Sequence, residues 1–220
     1  MNDKYIFKSI NTNKEKKSFK EFLRHQTNSE YGGYKIYDGS RNHLLQIPEE
    51  LSELVFFLNK FQKKKSNFKS FLEIGFASGK TNTIFNRFFK FNQIVAVDNF
   101  ACDINANDLF ANVQRKKLIL LCGSSSSKQI KNNLKKFSPF DLILIDGSHE
   151  YKDVINDINI STNLINNKGI IVMHDIYNKE YPGVGKAWST LKKNKKFSFK
   201  EIVCKKYYFN CGFGIAIKRK

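Results

Sequence analysis

Two groups of residues in this chain have the types and spacing to do chemistry. The first is Asp146, His149 and Glu150, which follow the apolar run Asp141–Ile145, together with His174 and Asp175, which follow Gly169–Met173. Nearly continuous apolar runs of this length read as strands covered on both faces, and open α/β sheets bind ligands beyond the carboxyl ends of their strands. Two histidines and three acids gathered there can supply a general base, hold a divalent cation, or do both. An imidazole accepts a hydroxyl proton near neutral pH without help from a metal, which makes His149 the first candidate base and His174 the second. Structural roles compete: a helix N-cap for Asp146, a cap on the helix starting near Tyr151 for His149, and a backbone-carbonyl partner for His174. Asp157, inside that helix, reads as a surface or structural acid.

The second group is FLEIGFASGKTNTIFNRFFKFNQIVAVD, Phe71 to Asp98. It reads as strand (Phe71–Ile74), glycine turn (Gly75 to Gly79), helix (Thr81–Phe89) and strand (Ile94–Val97) closed by a carboxylate. Such a unit receives a nucleotide cofactor: the turn lets ligand approach the backbone, and an acid about 20 residues on accepts from ribose hydroxyls. Asp98 stands 19 residues beyond Gly79; its structural alternative is a turn residue before Asn99. Three cofactors compete. A dinucleotide wants G-x-G-x-x-G, but Ala77 holds the middle position and no third glycine follows. A phosphate loop wants G-x-x-x-x-G-K-[ST]; Gly79-Lys80-Thr81 supplies its ending and Leu142–Asp146 could pass for its magnesium-binding strand, yet only three residues separate Gly75 from Gly79. S-adenosylmethionine (SAM) needs close approach at Gly75, Ala77 and Gly79 but no pyrophosphate cradle. Glu73, two residues before the first glycine, suits SAM by ordering the turn or by reaching the methionine amino group through water.

Glu73-Ile-Gly75-Phe-Ala77-Ser-Gly79 resembles motif I of the class I SAM-dependent methyltransferases. Phe140–Tyr151 (FDLILIDGSHEY), Gly169–Ile176 (GIIVMHDI), Pro182-Gly183-Val184 and Gln46–Leu51 resemble the branch related to small-molecule O-methyltransferases, methyltransferase family 24, over roughly residues 45 to 218. The resemblance implies an α/β fold: a single Rossmann-like doubly wound sheet of about seven strands, mostly parallel with an antiparallel C-terminal strand, and helices on both faces. It implies SAM as cofactor and methyl transfer to a hydroxyl of a small molecule, with a sugar or cell-surface precursor as one acceptor class. Asp98 would take the ribose hydroxyls. The adenine would lie at Gly123-Ser124, after the third strand, where no acid stands to accept from its amino group and a serine hydroxyl or backbone carbonyl would have to do so. Asp146 and Asp175 map onto carboxylates that hold Mg²⁺ in metal-dependent relatives, where the ion lowers the pKa of the acceptor hydroxyl. His174-Asp175 stands where those relatives carry paired acids or Asp-Asn, so base catalysis and metal assistance both stay open.

The elements that must position these residues follow from periodicity. Pro48–Phe61 places Leu51, Leu54, Val55, Leu58 and Phe61 at helical spacing. Leu118–Cys122 is a third strand leaving at Gly123 and a serine run, and helices fit at Lys128–Phe137 and Tyr151–Ile165. Phe197–Cys204 and Phe213–Lys218 read as two last strands around a turn at Asn210–Gly212. Residues 1–45, with Tyr31-Gly-Gly-Tyr34 and Asp38-Gly39, read as an N-terminal extension or lid, and 46–220 as the SAM-binding domain. Tyr151, Tyr181 and Trp188 are candidates for an acceptor wall or for the core.

Composition bounds the partners. The net charge is +18, which favours polyanions, but the basic clusters at Lys14–Lys20, Lys63–Lys65, Lys192–Lys196 and Lys218–Lys220 are scattered. A chain rich in Lys, Asn, Ile and Phe also fits a solvated surface shaped by AT-biased codons. Nucleic acid is therefore not favoured, although the field could draw in an anionic acceptor such as a nucleotide-sugar. Cys102, Cys122, Cys204 and Cys211 form no C-x-x-C pair, and no stretch has signal or membrane-span length, so a reduced, cytoplasmic protein is expected. A homo-oligomer is left open. The rivals to a small-molecule O-methyltransferase are an RNA methyltransferase, a phosphate-loop NTPase and a SAM-binding protein without catalysis.

Overall fold

Alternate residues along the strands face opposite ways, and this alternation sorts the hydrophobic residues into two cores. The computed structural model describes residues 10–36, 44–64, 67–101, 117–207 and 210–219; Asp38-Gly39 and Cys102 lie outside them. The strands are β1 (Ser70–Ile74), β2 (Gln93–Asp98), β3 (Leu118–Cys122), β4 (Phe140–Ile145), β5 (Ile165–Met173), β6 (Phe197–Ile202) and β7 (Phe213–Lys218). They form one sheet in the order β3-β2-β1-β4-β5-β7-β6. Neighbours from β3 to β5 pair in parallel, and β7 runs antiparallel to both β5 and β6. β7 is thus the reversed C-terminal strand that was expected.

On one face Leu72, Val95, Ile143 and Ile171 pack against α4 (Lys128–Phe137), α5 (Tyr151–Leu164) and α6 (Pro182–Leu191). On the other, Phe71, Ile94, Leu142 and Ile170 pack against α1 (Asn13–Arg24), α2 (Pro48–Lys64) and α3 (Lys80–Phe88). Burial of both faces is what the unbroken apolar runs of β4 and β5 require.

Two helices were not expected. α1 begins at a capping box in which Glu15 N–H donates to Thr12 Oγ1 and Thr12 N–H to Glu15 Oε2, and it buries Phe19 and Leu23 in the same core as α2. The segment read as an extension is therefore packed onto the domain over residues 10–36. α6 starts with Pro182 in its first turn and buries Trp188, whose indole N–H donates to Glu201 (2.6 Å). Trp188 is a core residue, not an acceptor wall. β5 also starts four residues early, at Ile165, with exposed Asn167 and Lys168 inside it, and β6 stops at Ile202, short of the expected Cys204.

Glu50 of α2 is buried and accepts the backbone N–H groups of Cys204 (2.7 Å) and Gly212 (2.8 Å), mooring the β6–β7 connection to the opposite layer. Burial raises its pKa, against the pull of those two bonds. Glu50→Ala leaves two donors without their partner, and chemical denaturation should show a loss of about 2–4 kcal/mol.

Candidate active site

The glycine turn after β1 takes its shape from a close approach of two strand exits. Gly75 has φ +93°, and a Cβ there would lie 2.0 Å from the Asp146 carbonyl oxygen beyond β4, so only glycine fits. Ala77, in the middle position, is held at φ 46°, a left-handed conformation that needs support from its surroundings. That support is Asp98: its Oδ2 accepts the Ala77 N–H (2.7 Å) and its Oδ1 the Phe100 N–H (2.7 Å). The N–H groups of Gly75 and Gly79 bond to Val97 O (2.9 Å) and Phe76 O (2.7 Å). These three backbone donors are thus engaged within the protein. Glu73 is 1% exposed, below the turn rather than at its surface, and accepts from Asn82 of α3 (2.7 Å).

A cavity of about 590 Å³ opens over the carboxyl ends of β1 to β5. Its floor is the turn, Asp98 and Gly123 to Ser125; its far wall is Asp146 to His149 with His174 and Asp175; Tyr31, Leu44, Leu45 and Tyr181 close it from above. The charged side chains lining it are Asp98, Asp146, Asp153, Asp157 and Asp175 against Lys80 and the two histidines, so a chain of net charge +18 encloses an acid-lined cavity.

The strand-end residues form one network. His149 Nε2 lies 3.1 Å from Asp175 Oδ2, and the ring stacks on Tyr181 at 3.9 Å. His174 Nδ1 lies 3.0 Å from Asp146 Oδ1 and 3.3 Å from Asp175 Oδ2. Gln46 Nε2 donates to Asp146 Oδ2 (2.9 Å), and Asn178 Nδ2 to Asp175 Oδ1 (3.0 Å). Burial alone would lower the pKa of His174, but Asp175 and Asp146 outweigh it and hold the ring well above its usual value. Burial likewise opposes ionisation of Asp175, yet the His174 charge and bonds from His149, His174 and Asn178 hold its carboxyl far below the ordinary range. Asp175 sits at φ 60°, a strained conformation of the kind found at functional sites.

None of these residues plays the structural role that competed for it: the helix cap before Tyr151 falls to Glu150, with no side-chain cap bond, and the His174 ring bonds carboxylates. The ligand atoms of Asp146, His149 and Asp175 lie within 4.8 Å of one another, a donor set that fits one divalent ion. His174 and Asp175 make a second such group with Cys211, whose thiol burial pushes up to about 11.

After β3 the serine run divides its work. Ser127 caps α4, Ser124 and Ser126 bond each other, and Ser125 Oγ donates to Asp157 Oδ1 (2.5 Å). Asp157 is not a surface acid: it is 1% exposed and lines the cavity. Tyr31, Gln46 and Asp157 were missed as site residues because each reaches the cavity through tertiary packing. Only the spacing of Asp157 on α5, one turn beyond Asp153 on the same helix face, carried a signal.

Residues 72–176 match the family model described as a methyltransferase domain. A comparison with curated protein sequences gives no match. Among solved structures the fold is similar to a putative O-methyltransferase from Klebsiella pneumoniae (TM-score 0.65, 15% identity, 90% of each chain covered). It is also similar to the O-methyltransferase TomG from Streptomyces achromogenes, involved in tomaymycin synthesis and solved with SAM (0.62, 14%, 91% of this chain and 90% of that one), and to the N-methyltransferase NodS from Bradyrhizobium japonicum (0.53, 12%, 74% and 93%). The chain carries a methyltransferase domain over residues 72–176, in a fold similar to that of known O-methyltransferases. Its sheet is the seven-stranded mixed sheet of that fold, and no helix among the described residues is long and apolar enough to cross a membrane.

Proposed function

We propose that this protein transfers the methyl group of SAM to a hydroxyl of an uncharged small molecule such as a sugar, with His149 as the base. The observation that carries the reading is the His149–Asp175 pair, 3.1 Å apart, on the wall of a cavity whose floor is the glycine turn and Asp98. In this reading Asp98 receives the ribose hydroxyls, Gly75, Ala77 and Gly79 let the methionine part lie close to the backbone, and Glu73 orders that turn from below. Gly123 and Ser124 border the base. The wall with Asp146 and His149 is left for the acceptor.

The ionised Asp175 accepts only, so His149 carries its proton on Nε2 and offers Nδ1 as acceptor. His149 Nδ1 would take the proton of the acceptor hydroxyl. When bound, SAM would supply the methyl group and leave as S-adenosylhomocysteine (SAH). His174, with Nδ1 between Asp146 Oδ1 and Asp175 Oδ2, holds the two carboxylates in place. Tyr31, Leu44 and Leu45 from the N-terminal segment act with Tyr181 as a cover over the acceptor. The likeness to two O-methyltransferases supports a hydroxyl acceptor, and the acidic wall weighs against both an anionic acceptor and an RNA backbone.

The convergence of Asp146, His149 and Asp175 favours a second reading in which these three hold a divalent cation. A bound ion there would lower the pKa of the acceptor hydroxyl.

Calorimetric titration with SAM, SAH, NAD and Mg-ATP is the test. SAM and SAH should bind at micromolar Kd and the other two should not, after which hydroxylated acceptors are screened with and without Mg²⁺ or Mn²⁺. Binding of Mg-ATP or NAD alone would overturn the reading.

A further inference from the structure

We propose that Asp157 reads the adenine of the cofactor, its free carboxylate oxygen accepting a hydrogen bond from the 6-amino group. This rests on the SAM reading of the cavity. The direction of the base follows from the sheet order. The strand-end histidines and acids that face the acceptor stand at β4 and β5, on one side of β1, while Asp98 ends β2 on the other side. A ribose held by Asp98 with its sulfur arm directed at His149 must send its base the opposite way, toward β3. There Cys122 is the register partner of Asp98, and Gly123 N–H donates to Asp98 O (2.7 Å), so the loop after β3 adjoins the ribose site.

Gly123, Ser124 and Ser125 of that loop line the cavity, and none of them is an acid. The acid comes instead from α5, which packs beside α4 on the same face of the sheet. Asp157 is 1% exposed and lines the cavity. Its Oδ1 accepts from Ser125 Oγ (2.5 Å) and Asn156 Nδ2 (3.4 Å), whereas its Oδ2 has no hydrogen-bond partner among the described residues. The carboxylate thus presents an oxygen with no protein donor at a residue that lines the cavity, and burial pushes this carboxyl up to about 6. A ligand amino group would supply the missing donor. The Ser125 bond fixes the carboxylate so that Oδ2 is the oxygen left for the ligand.

Calorimetry on the full chain with SAH and with S-inosylhomocysteine, which carries a 6-oxo group in place of the 6-amino group, tests this. Wild-type protein should bind SAH about 10- to 100-fold more tightly, the range of one hydrogen bond to a charged acceptor. Asp157→Asn should weaken SAH by a similar factor and abolish or invert the preference, because a carboxamide can donate to the 6-oxo group. Ser125→Ala, which keeps the carboxylate, should retain the preference for SAH. Equal binding of the two ligands by wild-type protein, or an unchanged preference in Asp157→Asn, would overturn the inference and leave Asp157 as a tie between α5 and the serine loop. Failure of wild-type protein to bind either ligand would overturn the SAM reading itself, and this inference with it.

Discussion

Asp98→Ala is expected to weaken SAM binding by about 100-fold or more, because two ribose hydroxyls lose a charged acceptor worth roughly 1.5–3 kcal/mol each. The carboxylate also holds the turn, through Ala77 N–H on Oδ2 and Phe100 N–H on Oδ1. The variant therefore loses ligand contacts and the strained geometry of Ala77 together. Asp98→Asn separates the two effects, since its carbonyl oxygen still accepts one backbone bond, and it should fall between wild type and Asp98→Ala. Calorimetry with SAH reads the affinities, and a thermal melt without ligand checks the fold. Near-wild-type affinity in Asp98→Ala would remove the ribose from this end of the sheet.

The second large effect falls on turnover. His149→Ala should lower kcat by about 10²- to 10⁴-fold, the usual contribution of a positioned general base, with SAM affinity unchanged, because the side chain lies on the acceptor wall. The Tyr181 ring stacked on it at 3.9 Å loses its partner, so the KM for acceptor should rise as well. The residual activity should climb with pH as the acceptor hydroxyl ionises unaided. If His149→Ala instead keeps most of its activity and a chelator abolishes the activity of wild type, the divalent-ion reading replaces the base.

The strands were legible as apolar runs, most plainly β1, β2 and β4, which are buried along most of their length; β3 and β7 have the expected ends. The start of β5 was not, since Asn166, Asn167 and Lys168 are polar and the last two are exposed, and the chain there follows the sheet register rather than side-chain preference. α1 was hidden by its lysines, although Thr12 and Glu15 spell a capping box and Phe19 and Leu23 stand one turn apart. α6 carried Val184, Ala187, Trp188 and Leu191 at helical spacing behind a proline, a pattern obscured by two glycines.

Within the site, the strand-end positions of Asp98, Asp146, His149, His174 and Asp175 could be read because the fold class fixes where strand ends meet. Their pairing could not: whether His149 or His174 faces Asp146 depends on side-chain directions across 28 residues of chain. Asp157 stayed hidden for a related reason, since a charged residue on an amphipathic helix is usually solvated and only the loop after β3 turns it inward.

The acid-lined cavity has a consequence for the catalytic cycle. SAM enters as a sulfonium cation, which carboxylates at short range hold electrostatically, whereas methyl transfer leaves an uncharged thioether. The step that methylates the acceptor thereby removes the charge by which the cofactor was anchored. In the proposed reaction the walls that attract the sulfonium would hold the neutral product less strongly, so the loss of that charge would favour exchange for a fresh molecule.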